Sequence, residues 1–249
     1  MHRFYISPED WNPGALGLAG AEAHHARDVL RMRVGEKLVI FNGRGREITA
    51  EIVDLGSNEI GLRKLHEVET PPLQCRIVLG QAIPKGKNMD LIVQKAVEIG
   101  ATEIAPIISD RTIVQVGSES AAQKQSKWQQ IAVEAAKQCG QNWLPHVHAP
   151  RKLSELFSVV AESLDLQLIG SLQPGARHLK QVLADHSNEH QRPPRSVLML
   201  VGPEGDFTPA ELALARRHGC EPITLGPIIL RVETAAIYCL SILSYELLI

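Results

Sequence analysis

"SVLMLVGPEGDFTPAE", residues 196–211, spells the end of a strand, a turn and the start of a helix. Ser196 to Val201 is an unbroken apolar run, the pattern of a strand covered on both faces and hence of a parallel sheet. The run stops at Gly202. Thr208, Pro209 and Glu211 then form a capping box: the threonine hydroxyl accepts from orphan N–H groups of a helix, proline suits its first position, and the glutamate reaches back. Such a helix closes near Gly219. A strand, a glycine-bearing turn and a helix N-terminus can hold a ligand against backbone amides; the same pattern also describes a capped loop that holds nothing. The turn offers Glu204 and Asp206 and no cation. Two carboxylates repel phosphate, so a neutral or cationic ligand, such as a nucleoside or a sulfonium, suits it better than a nucleotide di- or triphosphate.

Around this stretch, strands and helices alternate from about residue 73 onward. Apolar strands are read at 75–83, 103–108, 166–169 and 222–225. "NMDLIVQKAVEIG" predicts a helix capped by Asn88 and stopped at Gly100, and a longer helix runs from about Glu119 to near Gly140. "HSNEHQRPPR", 186–195, reads as an exposed loop. This is the βαβ signature of a mainly parallel, doubly covered sheet. The last helix, about 234–248, is apolar on nearly every face and is expected to be buried all round, either on its own sheet or against a second subunit. Glu233 or Thr234 is its expected cap.

Before the "ETPPLQ" linker the pattern differs. "EKLVIFNGRGREITAEIVDLG" alternates apolar and polar residues on both sides of a turn at 42–45, which predicts a hairpin within a small barrel-like β domain. "EAHHARDVLRMRVG" predicts one helix, with Ala26, Val29 and Leu30 on the core side and Arg27, Arg31 and Arg33 outward. With Arg44 and Arg46 these arginines make a basic edge for nucleic acid or an ordinary solvated face.

The 249 residues suit a small plus a medium domain. The net charge of -2 means that any nucleic-acid binding must come from such a local basic face. Cys75, Cys139, Cys220 and Cys239 are scattered, and the N-terminus lacks a basic-then-apolar leader, so a reduced cytoplasmic chain is expected. Ala235 to Ile249 is interrupted by polar residues, against a membrane span. Neither a nucleophile elbow nor a G-x-G-x-x-G dinucleotide motif is present, and the pairs His24/His25 and His146/His148 lack a third ligand, so no metal is expected.

A second loop, "LGPIILRVETAA" at 225–236, places Arg231 and Glu233 just before the last helix. It follows a strand as the first loop does, at the edge where open α/β sheets collect ligands. Together with "PKGKNMDLIVQKAVEIGATEIAPIISDRTIV", "EAAKQCGQNWLP" and "HHARDVLRMRVGEKLVIFNGRGRE", these motifs closely resemble the RsmE family of small-subunit ribosomal RNA uridine-N3 methyltransferases, over nearly the whole chain. The resemblance implies an α/β fold: a PUA-like RNA-binding β-barrel at 1–72, then a SPOUT-type methyltransferase domain at 73–249 with a C-terminal trefoil knot. It implies a homodimer using S-adenosylmethionine on small-subunit ribosomal RNA or the assembled subunit, without membrane or metal.

By position it places Val201, Gly202, Glu204, Gly205, Leu225, Gly226, Ile229, Leu230, Arg231 and Thr234 at the cofactor. Arg231 and Glu233 are its catalytic candidates, for charge stabilisation and proton acceptance. Lys85, Lys95, Arg111, Gln138 and Asn142 occupy motif positions expected near the RNA or the active cleft, and Arg27, Arg31 and Arg33 on the basic edge are further candidate RNA contacts. Four positions depart from the family's pattern: Asp206 replaces a glycine, Gln141 and Ile228 replace arginines, and Val232 replaces a threonine. Loss of two cations leaves open a relative acting on another RNA, or a non-enzymatic RNA-binding or ribosome-assembly protein.

Overall fold

The computed structural model describes residues 1–112, 118–160 and 164–248. Ile113 and Val114, which end the motif at 84–114, lie outside the described residues. The chain forms two compact units: Met1–Pro72 with Val133–Leu144, and Leu73–Ala132 with Pro145–Ile249.

The first unit is a five-stranded sheet of β1 (Arg3–Tyr5), β2 (Gly17–Ala19), β3 (Lys37–Phe41), β4 (Arg46–Leu55) and β5 (Glu59–Glu69), in the order β1-β3-β4-β5-β2. Only β1 and β3 pair parallel; the other pairs are antiparallel. The β3–β4 turn is fixed by Asn42, whose Oδ1 accepts from the N–H groups of Arg44 (2.8 Å) and Arg46 (3.1 Å), the local bonding that makes Asn a turn residue. Alternation along β4 sends Ile48, Ala50 and Ile52 into a core with Phe4, Leu38 and Ile40.

The helical stretch differs from its sequence reading. After α1 (Gly20–His24) the backbone widens into one π-helical turn, His25–Val29, in which Leu30 N–H donates to His25 O at 2.9 Å. The wider turn rotates the register. Ala26 is buried, whereas Val29 is 61% exposed and Met32 takes the core position expected for it.

Residues 133–144 belong to this unit because polar side chains fasten them. Lys137, nearly buried, pairs with Glu22 at 3.0 Å and sits 5.7 Å from the Phe4 ring centroid. Asn142 Oδ1 accepts from Arg3 at 2.7 Å while its amide donates to Thr70 Oγ1 at 2.9 Å, and the Trp143 indole donates to Thr70 O at 2.9 Å. A linear division at residue 72 therefore does not describe this unit completely.

The second unit runs β6 (Arg76–Ala82), α2 (Asn88–Ile99), β7 (Glu103–Ile108), α3 (Ser118–Cys139, whose last turns enter the first unit), β8 (His146–Val147), β9 (Arg151–Lys152), α4 (Leu153–Val160), β10 (Leu166–Gly170), β11 (Arg177–His178), α5 (Leu179–His190), β12 (Ser196–Val201), α6 (Pro209–Arg217), β13 (Glu221–Thr224) and α7 (Val232–Leu247). Its sheet has the order β11-β13-β10-β12-β6-β7-β8, with β9 also on β7, and its strand pairs are parallel. A parallel sheet needs both faces covered. One face carries α4 and α6 through Leu153, Leu156, Phe157, Leu212 and Ala215; α7 packs on β6, β12 and α2.

Two local expectations are corrected. The stretch 186–195 is not all loop: α5 continues to His190, burying Leu179, Val182, Leu183 and His186 at helical spacing. Asn88 is the first residue of α2 rather than its cap, which is Lys87 without a side-chain bond. Helix α7 buries Val232, Ala236, Cys239, Leu240, Leu243 and Leu247 on one face within this chain and leaves Tyr238 and Tyr245 exposed.

Candidate functional site

Parallel pairing of β12 with β10, and of β10 with β13, brings three strand ends to one edge. The loops leaving them, at 171–172, 202–206 and 225–231, enclose a cavity of about 290 Å³. Its walls combine the apolar Met199, Val201, Leu225, Ile229 and Leu230 with the backbones of Gly202, Gly205 and Gly226 and the charged Glu204, Asp206 and Arg231. Every residue that the sequence placed at the cofactor lines this cavity except Thr234.

The "GPEGD" turn is built as its sequence demands. Asp206 N–H donates to Pro203 O at 3.1 Å, and Gly205 adopts φ +84°, a conformation natural to glycine. The capping box forms at the next helix: Glu211 N–H donates to Thr208 Oγ1 at 3.3 Å, and Thr208 N–H to Glu211 Oε2 at 2.8 Å. Glu211 is buried, and its other oxygen accepts from Asp110 N–H at 3.0 Å. The capping box thereby also ties the loop after β7 to the cavity loop.

At the far wall, α7 begins on Arg231, which has extended backbone angles and makes no side-chain cap bond. Neither Glu233 nor Thr234 caps the helix, because both lie inside its first turn. No side chain caps this end, Glu233 lies in its first turn, and Arg231, Val232 and Ala235 from it line the cavity. Arg231 is exposed. Glu233 lies outside the lining, where its Oε2 accepts from Asn88 Nδ2 at 3.1 Å. The two catalytic candidates thus stand in different surroundings.

The RNA candidates divide between the units. In the first unit Arg31, Arg33 and Gln138 are exposed. Arg27 donates to the carbonyls of Gly56 (3.0 Å) and Ser57 (2.7 Å) and pairs with Asp28, so its guanidinium is already engaged. Asn142 is buried and committed to Arg3 and Thr70, a fastening role in place of an RNA contact. In the second unit Lys85 is exposed and gives its backbone N–H to Glu204 at 3.2 Å; Lys95 pairs with Glu98 at 2.7 Å. Arg111 turns its guanidinium onto the carbonyls of Gly205 and Asp206 and so holds the cavity loop itself.

The sequence reading missed Gly170 at the end of β10, Ser171 and Leu172 after it, and Met199, Thr224 and Ala235. The strand 166–169 was legible, and the rule that ligands gather beyond strand ends applied to it as well. Burial pushes the thiols of Cys75, Cys220 and Cys239 up to about 12, so these are not nucleophiles at neutral pH. Among the described residues, no group of three or more His, Cys, Asp or Glu side chains could hold a metal, and no helix is long and apolar enough to cross a membrane.

Comparison with known proteins agrees with this geometry. Residues 71–244 match the model of an RNA methyltransferase domain, and 18–65 that of an RNA methyltransferase PUA domain. The chain is 30% identical over 236 residues to ribosomal RNA small subunit methyltransferase E of Synechocystis, covering 94% of this chain and 74% of that one. The structure of the Neisseria gonorrhoeae protein of the same name, bound to S-adenosyl methionine, superposes with a TM-score of 0.85 at 31% identity, covering 99% of this chain and 98% of that one. A Legionella pneumophila protein with the bound cofactor SAM gives 0.85 at 33% identity, over 98% and 97%.

Proposed function

The chain belongs to the family of ribosomal RNA small subunit methyltransferase E, and on that premise we propose that its cavity binds S-adenosylmethionine and serves methyl transfer to N3 of one uridine in small-subunit ribosomal RNA. The observation that carries this reading is the cavity at three parallel strand ends, with two carboxylates, one guanidinium and no phosphate cradle.

The residues fit the group. Apolar side chains and bare glycine backbone suit a nucleoside, Glu204 suits a cationic centre, and the two carboxylates disfavour phosphate. The uncapped start of α7 suits a carboxylate. When bound, S-adenosylmethionine supplies an electrophilic methyl group. The chain's part is to hold the reactants and to stabilise charge. N3 of uracil becomes nucleophilic as its proton leaves, and negative charge spreads over the ring; Arg231, on the cavity wall, is the group we assign to that charge. Glu233, bonded to Asn88 outside the cavity lining, is the candidate that the sequence offers for the proton. N3 is occupied in a Watson–Crick pair, so the uridine is met single-stranded or flipped.

The remaining parts rest on the same membership. We assign residues 1–72 to a PUA-like RNA-binding domain supplemented by 133–144, with Arg31, Arg33 and Gln138 as its RNA contacts, and residues 73–249 to the SPOUT domain. Exposed Lys85 is an RNA contact beside the cavity loop, with Lys95 a weaker one; action on the ribosome places the protein in the cytoplasm. A trefoil knot near the C-terminus belongs to the same proposal. A homodimer is supported by the exposed Tyr238 and Tyr245 of α7 together with Ile228 (74% exposed) and Ile229 (76%).

Transfer of a labelled methyl group to unmodified small subunits and to naked RNA, with mass spectrometry of the nucleosides, tests the proposal. N3-methyluridine on the subunits is the expected product. Cofactor binding without transfer to either substrate would favour the non-enzymatic reading.

A further inference from the structure

We propose that Asp206 is a positioning residue for the cofactor, a clasp that sets the distance between two walls of the cavity. The inference rests on the proposed S-adenosylmethionine site and goes beyond it to a residue that depart from the expected glycine.

Asp206 has φ +70°, a left-handed conformation that aspartate tolerates and glycine adopts freely. Glycine is thus the residue of least backbone strain here, and the aspartate needs a compensating contribution. Its side chain supplies one. Oδ2 accepts from Leu172 N–H at 3.0 Å, across from the loop after β10, and Oδ1 accepts from Phe207 N–H at 2.8 Å within its own loop. Both loops line the cavity, through Ser171 and Leu172 on one side and Gly202 to Asp206 on the other. Buried Ser171 roots the loop after β10 by donating its N–H to Ile223 O at 2.9 Å, whereas Leu172 beyond it is 60% exposed and is held by its bond to Asp206. Arg111 grips the turn of Asp206 through the carbonyls of Gly205 and Asp206. With that grip holding one wall, the carboxylate of Asp206 sets where the Leu172 end of the other stands. A charged acceptor gives a stronger bond than a neutral one, and half-exposed loops gain most from such a bond.

The Asp206→Gly variant separates backbone from side chain, since glycine suits φ +70° while removing the clasp. Expected results are a dissociation constant for S-adenosylmethionine raised about tenfold by calorimetry, an unfolding midpoint close to wild type because relief of the φ +70° backbone offsets the lost bonds, and an unchanged KM for RNA. Asp206→Asn, whose amide oxygen can accept only part of this bonding, should fall between. In the ligand-free protein the Leu172 amide should exchange hydrogen faster in Asp206→Gly. Equal cofactor affinity in wild type and Asp206→Gly overturns the proposal, as does a loss of affinity matched by equal loss of RNA binding and of stability. A wild-type protein that binds no S-adenosylmethionine overturns the proposed function instead; exchange at Leu172 then still decides whether the clasp exists.

Discussion

Glu103, in β7, anchors an ionic cluster whose removal should be visible as a pH-dependent loss of stability. Its carboxylate accepts from Arg76 Nε at 2.5 Å and pairs with His148 Nε2 at 2.8 Å, with only 18% of the side chain exposed. Burial acts to raise its pKa, but the hydrogen bonds from His148 and Arg76 outweigh burial and hold it at about 2, against an ordinary 4.5. Because the folded value is the lower one, the ionised group stabilises the fold fully above pH 4.5, and the contribution disappears as pH falls towards 2. The gap corresponds to about 3 kcal/mol at neutral pH. Solvent around Arg76, whose side chain is 39% exposed, brings this nearer to about 2 kcal/mol. Glu103→Gln keeps the volume and removes the charge. Urea denaturation at pH 7, 5, 4 and 3 should show the variant less stable by that amount at pH 7, with the difference shrinking below pH 4.5. A difference that stays constant across the range would mean that packing, not charge, is what Glu103 contributes, and no difference at pH 7 would remove the cluster from the account altogether.

Arg231→Ala should lower kcat for methyl transfer about 100-fold while the circular dichroism spectrum is unchanged; undiminished transfer by a folded variant removes Arg231 from the chemistry. Thr208→Ala deletes the hydroxyl of the capping box and should cost about 1 kcal/mol in a urea titration. Gly80→Ala should cost about 1–3 kcal/mol by overpacking, because a Cβ there would lie 2.4 Å from Leu200 Cδ2 and 3.3 Å from Ile107 Cδ1; a variant as stable as wild type would show that β6 and β12 yield more easily than their packing implies.

Legibility followed the strength of local signals. The strand at Ser196–Val201 and the box at Thr208–Glu211 were readable because their patterns are dense and mutually consistent. The two-residue strands β8, β9 and β11 were not, since only their partners define them. Helix α5 was cut short because its polar surface masked the Leu179, Val182, Leu183 and His186 stripe. The cavity lining from residues 201–231 was largely legible, mostly through family resemblance. Its third wall at 170–172 comes from sheet order, which no local pattern encodes. Asn142 sits in a recognisable motif, yet its commitment to Arg3, 139 residues away in the chain, is a tertiary fact.

The membership of Val133–Leu144 in the first unit constrains how the protein can be made. During synthesis, the β-strands up to Glu69 leave the ribosome early, but Lys137, Asn142 and Trp143, which fasten Glu22, Arg3 and Thr70, follow some seventy residues later. A nascent chain released or cleaved near Pro72 would therefore display an N-terminal domain missing its fasteners, and completion of that domain must wait for the start of the next one.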